Sequence, residues 1–277
     1  MPATAPNLFT LGEEGPDPAC TEGVVNMHFC VGVTGNTEVA LQKRIIGGDE
    51  CERQYHVQLR AVYPHGPSSL CGGSLISDRW ILTAAHCLKP GGTMFANLSV
   101  HQGGPEQEVQ ITAEAEIYTD KDTSTGRVHD IMLLQLPSSS DIQPIKLADC
   151  DEPPKRVEIA GYGATTGLAN EKRKPGKSPS LHCAETEVVS CTELNDILQK
   201  NFPEVHRVKS YQHWFCGQSP GKDICRGDSG GGVVHNGRIY GVSSFVGDPD
   251  FVCRAPAAFM DLCDPEYADW IRKTINP

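Results

Sequence analysis

A glycine-rich stretch, GKDICRGDSGGG at residues 221–232, places one serine among five glycines and two aspartates. A serine hydroxyl is a poor nucleophile until a base removes its proton, and that base works best when a carboxylate fixes its orientation. Two other stretches supply such partners, since LTAAHC carries His86 and HDIMLLQL carries Asp130. Ser229, His86 and Asp130 are therefore the candidate nucleophile, base and orienting acid.

Glycines surround the candidate nucleophile and allow the backbone to turn tightly there. With such a turn, the N–H groups of Gly227 and Ser229 can converge on a developing oxyanion. Losing one donor of this kind costs on the order of 3 kcal/mol of transition-state stabilisation. The chemistry that these residues suit is nucleophilic attack on a carbonyl carbon.

The elements that must hold these residues are predicted to be β-strands. From Ile45 onward, short β-branched runs alternate with turn residues, and Asn236-Gly237 is typical of a tight hairpin. This spacing favours an antiparallel barrel or sandwich over βαβ units. Two helices are predicted, one over about residues 192–200 and one at the end of the chain, where Asp264 can cap it.

Composition excludes several function classes. The chain has 277 residues and a net charge of −11, which argues against a nucleic-acid partner because phosphate binding needs clustered Lys and Arg. The apolar runs are too short for a membrane span. The twelve cysteines contain no CxxC pair, so they favour disulfides over zinc and indicate a secreted, extracellular protein.

The N-terminal part reads differently from the rest. Residues 1–44 are rich in Pro, Gly, Thr and Glu without periodicity, which is typical of an extension with no core of its own. The first residues lack the basic and apolar regions of a signal peptide, so either a leader has been removed or the sequence starts downstream of one. Asn97-Leu98-Ser99 is a glycosylation sequon, and an unmodified Asn97 is an equally good interpretation.

CGGSLISDRWILTAAHC and GDSGG together resemble the motifs of trypsin-like, chymotrypsin-family serine proteases, with His, Asp and Ser in that chain order. The resemblance covers residues 45–277. It implies an all-β, trypsin-like fold of two antiparallel six-stranded β-barrels with a C-terminal helix, the boundary between barrels lying near residues 155–165. It implies a serine endopeptidase that needs no cofactor, acts as a monomer on protein or peptide substrates and is restrained by protein inhibitors.

The resemblance also implies a zymogen in which residues 1–44 are a propeptide. In the family, cleavage before a small apolar start frees an α-amine that folds inward and pairs with the Asp preceding the catalytic Ser. QKRIIGGDEC fits this pattern, so an activating protease is expected to cut Arg44-Ile45 and the new amine to pair with Asp228. A solvated basic pair at Lys43-Arg44 is the alternative.

The cysteines fit the same resemblance. Cys20 with Cys30 is the pair left for the extension, and a bridge from the extension to Cys150 is the alternative. The pairs that the resemblance implies within the protease domain are Cys71–Cys87, Cys191–Cys216, Cys225–Cys253 and Cys51–Cys183, and Cys150–Cys263 is the best remaining pair there.

Substrate selection depends on the residues that resemble the walls of the family's first subsite. Asp223 matches the acid that pairs with Arg or Lys, and Ser244 and Phe245 match the adjoining wall. Val246 and Ala257 stand where trypsins have Gly, and each added methyl narrows the pocket at a typical cost of 1–3 kcal/mol. A hindered Arg/Lys preference is predicted, while an elastase-like preference for small residues and a non-catalytic homologue with a closed pocket remain alternatives.

A basic loop and a pair of glutamates are two further groups of charged residues in the sequence. The loop GLANEKRKPGKSPS is interpreted as solvated, and as a site for self-cleavage or an acidic partner; its cations are Lys172, Arg173, Lys174 and Lys177. No metal site is predicted, because Glu106 and Glu108 are as well explained as turn residues.

Overall fold

A computed structural model gives the structure of the chain. It describes residues 45–63, 68–98, 107–121, 126–163, 169–173, 176, 178–225 and 227–276. The chain divides into two units, Met1–Leu41 and Gln42–Pro277, and every described residue belongs to the second. The predictions about Cys20, Cys30, Arg44 and Glu106 fall outside the described residues.

Fifteen strands form two sheets in the described part of the chain. The first sheet has the order β6-β5-β2-β3-β4-β8-β7, with every pair antiparallel. Its strands are β2 (His56–Val62), β3 (Ser69–Leu75), β4 (Trp80–Thr83), β5 (Thr93–Leu98), β6 (Gln107–Gln110), β7 (Glu116–Thr119) and β8 (Val128–Gln135). The two end strands, β6 and β7, are consecutive in the chain and are separated by residues 111–115. Counted together as one interrupted strand, they give the first sheet six strands.

The second sheet closes on itself. Six strands in the order β11-β10-β13-β14-β15-β12 form a ring, because β12 pairs again with β11; β1 and β9 are short additions to it. Its strands are β1 (Asp49–Glu50), β9 (Lys146–Leu147), β10 (Arg156–Gly161), β11 (His182–Val189), β12 (Trp214–Gln218), β13 (Gly232–His235), β14 (Arg238–Val246) and β15 (Ala257–Asp261). All pairs are antiparallel except β9 with β14. The prediction of two antiparallel barrels is confirmed.

Strand β8 explains how the fold carries a polar residue into its interior. Its IMLL run is almost wholly buried, as expected for a strand with both faces covered. It lies between β4 and β7, and Asp130 stands directly before the run. The position of the barrel boundary near residues 155–165 stays a prediction, although β10 begins within that interval at Arg156.

Three α-helices accompany the sheets: α1 (Thr192–Asn201), α2 (Pro203–Lys209) and α3 (Pro265–Ile275). The Asp264 side chain caps α3 by accepting a hydrogen bond from the Glu266 N–H. Helix α2 was not predicted. A single residue, Phe202, separates it from α1, and Pro203 lies in its first turn. No helix among the described residues is both long and apolar enough to cross a membrane.

Disulfides tie distant segments together. Four bridges form among the described residues: Cys51–Cys183, Cys71–Cys87, Cys150–Cys263 and Cys191–Cys216. Three of them are pairs that the resemblance implies, and Cys150–Cys263 is the remaining pair expected within the protease domain.

The expected Cys225–Cys253 bridge is corrected by the structure, in which both residues are free cysteines. The Arg173 guanidinium donates to the Cys225 sulfur at 3.8 Å, and the Cys253 N–H donates to the Asp223 carboxylate at 2.8 Å. Burial raises the pKa of the Cys225 thiol to about 12 and that of Cys253 to about 11, so both stay protonated at neutral pH.

Candidate active site

His86 lies on a single 3-10 turn, Ala85–Cys87, that directly follows β4, and the Cys71–Cys87 disulfide ties this turn to β3. The His86 backbone N–H donates to Asp130 Oδ1 at 2.9 Å. The His86 ring nitrogen Nδ1 lies 2.9 and 3.0 Å from the two carboxylate oxygens of Asp130. The ring is therefore held by one nitrogen, which leaves Nε2 as the nitrogen that can exchange a proton with a substrate or nucleophile.

Asp130 keeps its charge in a buried position. Burial by itself would raise the pKa of Asp130. The charges of His86 and Lys209, with hydrogen bonds from His86 and Ser244, outweigh burial and hold this pKa below its usual range. Asp130 is thus a fixed negative charge behind the imidazole at neutral pH.

The loop that carries Ser229 is fixed against β3 and β4. The Ser229 carbonyl accepts a hydrogen bond from the Gly72 N–H at 2.7 Å. Gly230 has φ of +82°, and a Cβ there would lie 2.2 Å from Thr83 Oγ1 and 2.4 Å from the Gly72 carbonyl oxygen. Only glycine fits this approach, which joins the Ser229 loop to the strands that lead to His86.

Ser229 itself is half-buried, and its hydroxyl has no hydrogen-bond partner among the described residues. Gly227 has φ of +99°, the left-handed region that favours glycine. The N–H groups of Gly227 and Ser229 make no hydrogen bond to another described residue. Both donors are therefore available to a ligand oxygen.

Asp228 is a fully buried carboxylate. Its oxygens accept hydrogen bonds from the N–H of Gly163 at 2.7 Å and from the N–H of Cys225 at 2.8 Å. Gly161 makes room for it, since a Cβ at Gly161 would lie 1.9 Å from Asp228 Oδ1. Burial raises the pKa of Asp228 to about 7, and no ion pair to it is formed among the described residues.

The segment that resembles the start of a mature enzyme is tucked in near this carboxylate's loop. Ile45 is fully buried and has φ of +36°. Its neighbour Ile46 forms a bridge with Asp223, whose N–H donates to the Ile46 carbonyl at 3.2 Å. Residues 45 and 46 thus already lie beneath the loop that holds Asp223 and Asp228.

Asp223 is occupied by another residue of the chain. Arg173 Nη2 lies 2.6 Å from Asp223 Oδ2, and their side chains are 11% and 4% exposed. The guanidinium also donates to the carbonyls of Ile224 at 2.8 Å and Asp248 at 3.0 Å. Burial raises the pKa of Asp223, while Arg173 and the N–H groups of Ile224 and Cys253 oppose this effect.

The backbone around Arg173 explains how it reaches this position. The Arg173 N–H donates to the Asp250 carbonyl at 2.8 Å, and the Val252 N–H donates to the Glu171 carbonyl at 3.0 Å. The basic loop therefore pairs with the segment DPDFV at residues 248–252. The interpretation of this loop as solvated is wrong for Arg173, because its charge is buried against a carboxylate.

The remaining residues of the expected pocket lie on β14 and β15. Ser244, in an irregular part of β14, points its hydroxyl at Asp130 in a short hydrogen bond. Val246 pairs with Ala257, and Phe245 with Ala258, across the two strands. Phe245 packs edge-on against Trp214 with ring centroids 5.7 Å apart.

One residue of the site was missed by the sequence analysis. Lys209, the last residue of α2, reaches Asp130 Oδ2 with its Nζ at 2.9 Å. In the sequence it ends the polar run EVHRVK, where a lysine is usually solvated. The only available signal was the apolar spacing of Val205 and Val208 around it, which is too short to assign a helix face.

Two further predictions concern glycosylation of Asn97 and the absence of a metal site. Asn97 lies within β5, opposite Gln58, and its side-chain oxygen is buried without a partner among the described residues, which does not favour a glycan. Glycosylation stays a prediction. Among the described residues, His213, Asp264 and Glu266 bring three possible ligand atoms within 4.8 Å, with the His213 ring 3.3 Å from Asp264 and 3.7 Å from Glu266.

Comparison with known proteins agrees with this geometry. The Trypsin family model matches residues 45–271. The chain is 33% identical to human kallikrein-8 over 86% of this chain and 88% of that protein, and 32% identical to rat trypsin-4 over 84% and 90%. A solved structure of neuropsin, a serine protease expressed in the limbic system of mouse brain, aligns with a TM-score of 0.63 at 30% identity, covering 83% of this chain and 99% of that chain.

Proposed function

Because the chain belongs to the trypsin family and is a serine endopeptidase, we propose that Ser229 is its nucleophile, with His86 as general base and Asp130 as orienting acid. The observation that carries this proposal is the contact of His86 Nδ1 with both oxygens of the buried Asp130 carboxylate. His86 Nε2 would take the Ser229 proton as the hydroxyl oxygen attacks a peptide carbonyl. The N–H groups of Gly227 and Ser229 would hold the oxyanion.

The reaction then proceeds through a covalent intermediate. His86 returns the proton to the leaving amine, the peptide bond breaks, and an acyl group remains on Ser229. Water, deprotonated by His86, releases the acid product and restores the serine. No cofactor enters any of these steps.

The chain is proposed to be a secreted zymogen activated by an external protease at Arg44-Ile45. Asp228 supports the proposal, since a buried carboxylate with a pKa of about 7 and two backbone donors would be stabilised by an added cation. The α-amine of Ile45 would supply that cation. The four disulfides support secretion, because such bonds persist in oxidising compartments.

For the first subsite, we propose an Arg/Lys preference that develops once Arg173 leaves Asp223. A buried carboxylate without a cation is unfavourable, so a substrate guanidinium or ammonium would replace the internal one. A second candidate is a preference for small side chains. The Arg173–Asp223 ion pair favours it if the pair persists after activation, because Val246 and Ala257 already narrow the same space.

Ser229 labelling tests the catalytic proposal directly. A fluorophosphonate probe is expected to label wild-type protein after cleavage of Arg44-Ile45, and neither Ser229→Ala nor uncleaved Arg44→Gln protein. Absence of labelling in the cleaved wild type would favour a non-catalytic homologue. Cleaved Ile45→Gly protein that remains fully active would exclude the proposed switch. The mature enzyme is expected to lose activity as the Ile45 amine deprotonates, near or above its reference pKa of about 8.

The partners that follow from the proposal are a protein substrate, an activating protease and a protein inhibitor, with the enzyme acting as a monomer. Gel filtration of the cleaved protein with and without a trypsin-type inhibitor measures inhibitor binding and the oligomeric state.

A further inference from the structure

Lys209 is a buried cation in direct contact with the proposed catalytic acid. Its Nζ donates to Asp130 Oδ2 at 2.9 Å and to Ser244 Oγ at 3.3 Å. The side chains of Lys209 and Asp130 are 6% and 4% exposed. A lysine is rarely buried to this extent unless its charge is compensated, so the position of this side chain is set by the carboxylate.

The carboxylate of Asp130 is shared between two sides of the site. One side is His86, which contacts both of its oxygens; the other is the pair Ser244 and Lys209, which contacts only Oδ2. Because Lys209 and Ser244 hold Oδ2 from one direction, rotation of the carboxylate away from the imidazole would break two hydrogen bonds. The lysine therefore restricts the orientation of the acid.

Other elements packed around the acid bring no second permanent cation among the described residues. Gln212, after α2, accepts the Asp130 N–H at 2.9 Å, and the Phe245 ring of β14 lies with its centroid 5.0 Å from Lys209 Nζ. His129, the neighbour of Asp130 on β8, is directed to Asp120 and Tyr267 instead. Lys209 is thus the fixed positive charge at this carboxylate in the described part of the chain.

We propose that Lys209 is a positioning residue of the catalytic machinery, which fixes the Asp130 carboxylate and sets the pH range over which His86 acts as a base. The inference rests on the proposed function of Ser229, His86 and Asp130. A permanent cation on the far side of Asp130 offsets part of the negative charge that the imidazole experiences. It therefore reduces the stabilisation that Asp130 gives to a positively charged imidazolium.

The sign of the effect follows directly. Without the ammonium, the full charge of Asp130 acts on His86 and favours the imidazolium, so the acid limb of the kcat/KM profile moves to higher pH. The expected movement is on the order of one pH unit. The interaction between the Lys209 ammonium and a charged His86 ring inside a protein is strong enough to move the acid limb by about that amount.

The experiment compares Lys209→Met, Lys209→Gln and Lys209→Arg with wild type, all cleaved at Arg44-Ile45. The concentration of active sites in each protein is measured by fluorophosphonate titration. Lys209→Met and Lys209→Gln, which lack the charge, are expected to shift the acid limb upward by about one unit. Lys209→Arg keeps the charge and is expected to leave the limb near its wild-type position. Gln also keeps a hydrogen-bond donor, so it separates charge from hydrogen bonding and decides alone if the Met variant does not fold.

Two failures are distinguishable. If wild type is not labelled by the probe, the proposed function itself fails. If all variants are labelled and the acid limb of Lys209→Gln coincides with that of wild type, the proposed function stands and the role of Lys209 is overturned.

Discussion

The guanidinium of Arg173 lies 2.6 Å from the carboxylate of Asp223, the residue that we propose as the acid of the first substrate-binding subsite. The ion pair is fixed further by the carbonyls of Ile224 and Asp248. The charge of Asp223 is therefore compensated within the chain, and an external cation that binds this carboxylate must displace the internal one.

Replacing Arg173 is expected to open this subsite. In cleaved protein, Arg173→Gln should bind benzamidinium, a small cation of guanidinium shape, at least about tenfold more tightly than wild type, because an unpaired buried carboxylate gains a partner. Inhibition constants against a neutral ester substrate measure the change. Lys172→Gln, one residue away and exposed, is the matched control; equal constants for the two variants would contradict a competing role for Arg173.

Val246→Gly tests the narrowing of the pocket. Removing this side chain should raise kcat/KM for Arg and Lys substrates by about tenfold, in line with a steric cost of 1–3 kcal/mol. A peptide library scanned at the residue before the cleaved bond provides the measurement, with Ala257→Gly as a second variant on the paired strand. Preference for Ala or Val in wild type that survives both changes would support the small-residue alternative.

The uncleaved chain should lose stability as the pH rises. Burial raises the pKa of Asp228 to about 7 from 3.8. The contribution of its protonated form to the stability of the fold is therefore fully present below about pH 4 and is lost as pH rises through 7. The free energy of unfolding should fall by about 1.4 kcal/mol per pH unit across this window, relative to Asp228→Asn. Urea unfolding of both proteins at several pH values measures the difference, and parallel curves would exclude Asp228 as the source.

Gly230→Ala should disrupt the loop that carries Ser229. A Cβ there meets the Gly72 carbonyl at 2.4 Å in addition to the strained φ of +82°. Gly91→Ala is the matched control, because Gly91 has φ of +75° with no atom within 4 Å of its Cβ position. The control should lose about 1 kcal/mol of stability, while Gly230→Ala should lose more and label far more slowly with fluorophosphonate. Equal losses would mean that backbone strain alone accounts for Gly230.

The sequence predicted the barrels well because their strands and turns are encoded locally. Apolar runs such as IMLL in β8 and the GDSGG loop carry their own conformational signals, and the contact of His86 with Asp130 followed from motifs. Arg173 and Lys209 could not be predicted in the same way. Each is a charged residue in a polar run, and only its long-range partner makes its burial favourable.

The same limit explains the thiols of Cys225 and Cys253. Their pairing was implied by resemblance, whereas in the structure the Cys225 sulfur contacts the guanidinium of Arg173, which lies on a loop some fifty residues away in sequence.

The Cys51–Cys183 disulfide has a mechanical consequence for a chain cut after Arg44. It anchors the new terminus to β11, leaving six residues between the bridge and the free end, a reach of about 20 Å. An end held on so short a tether stays at a high effective concentration near the second barrel and samples only a small volume. For the activation step proposed above, the bridge would make the pairing of the Ile45 amine with Asp228 a local rearrangement, whose rate should not depend on the length of the segment removed.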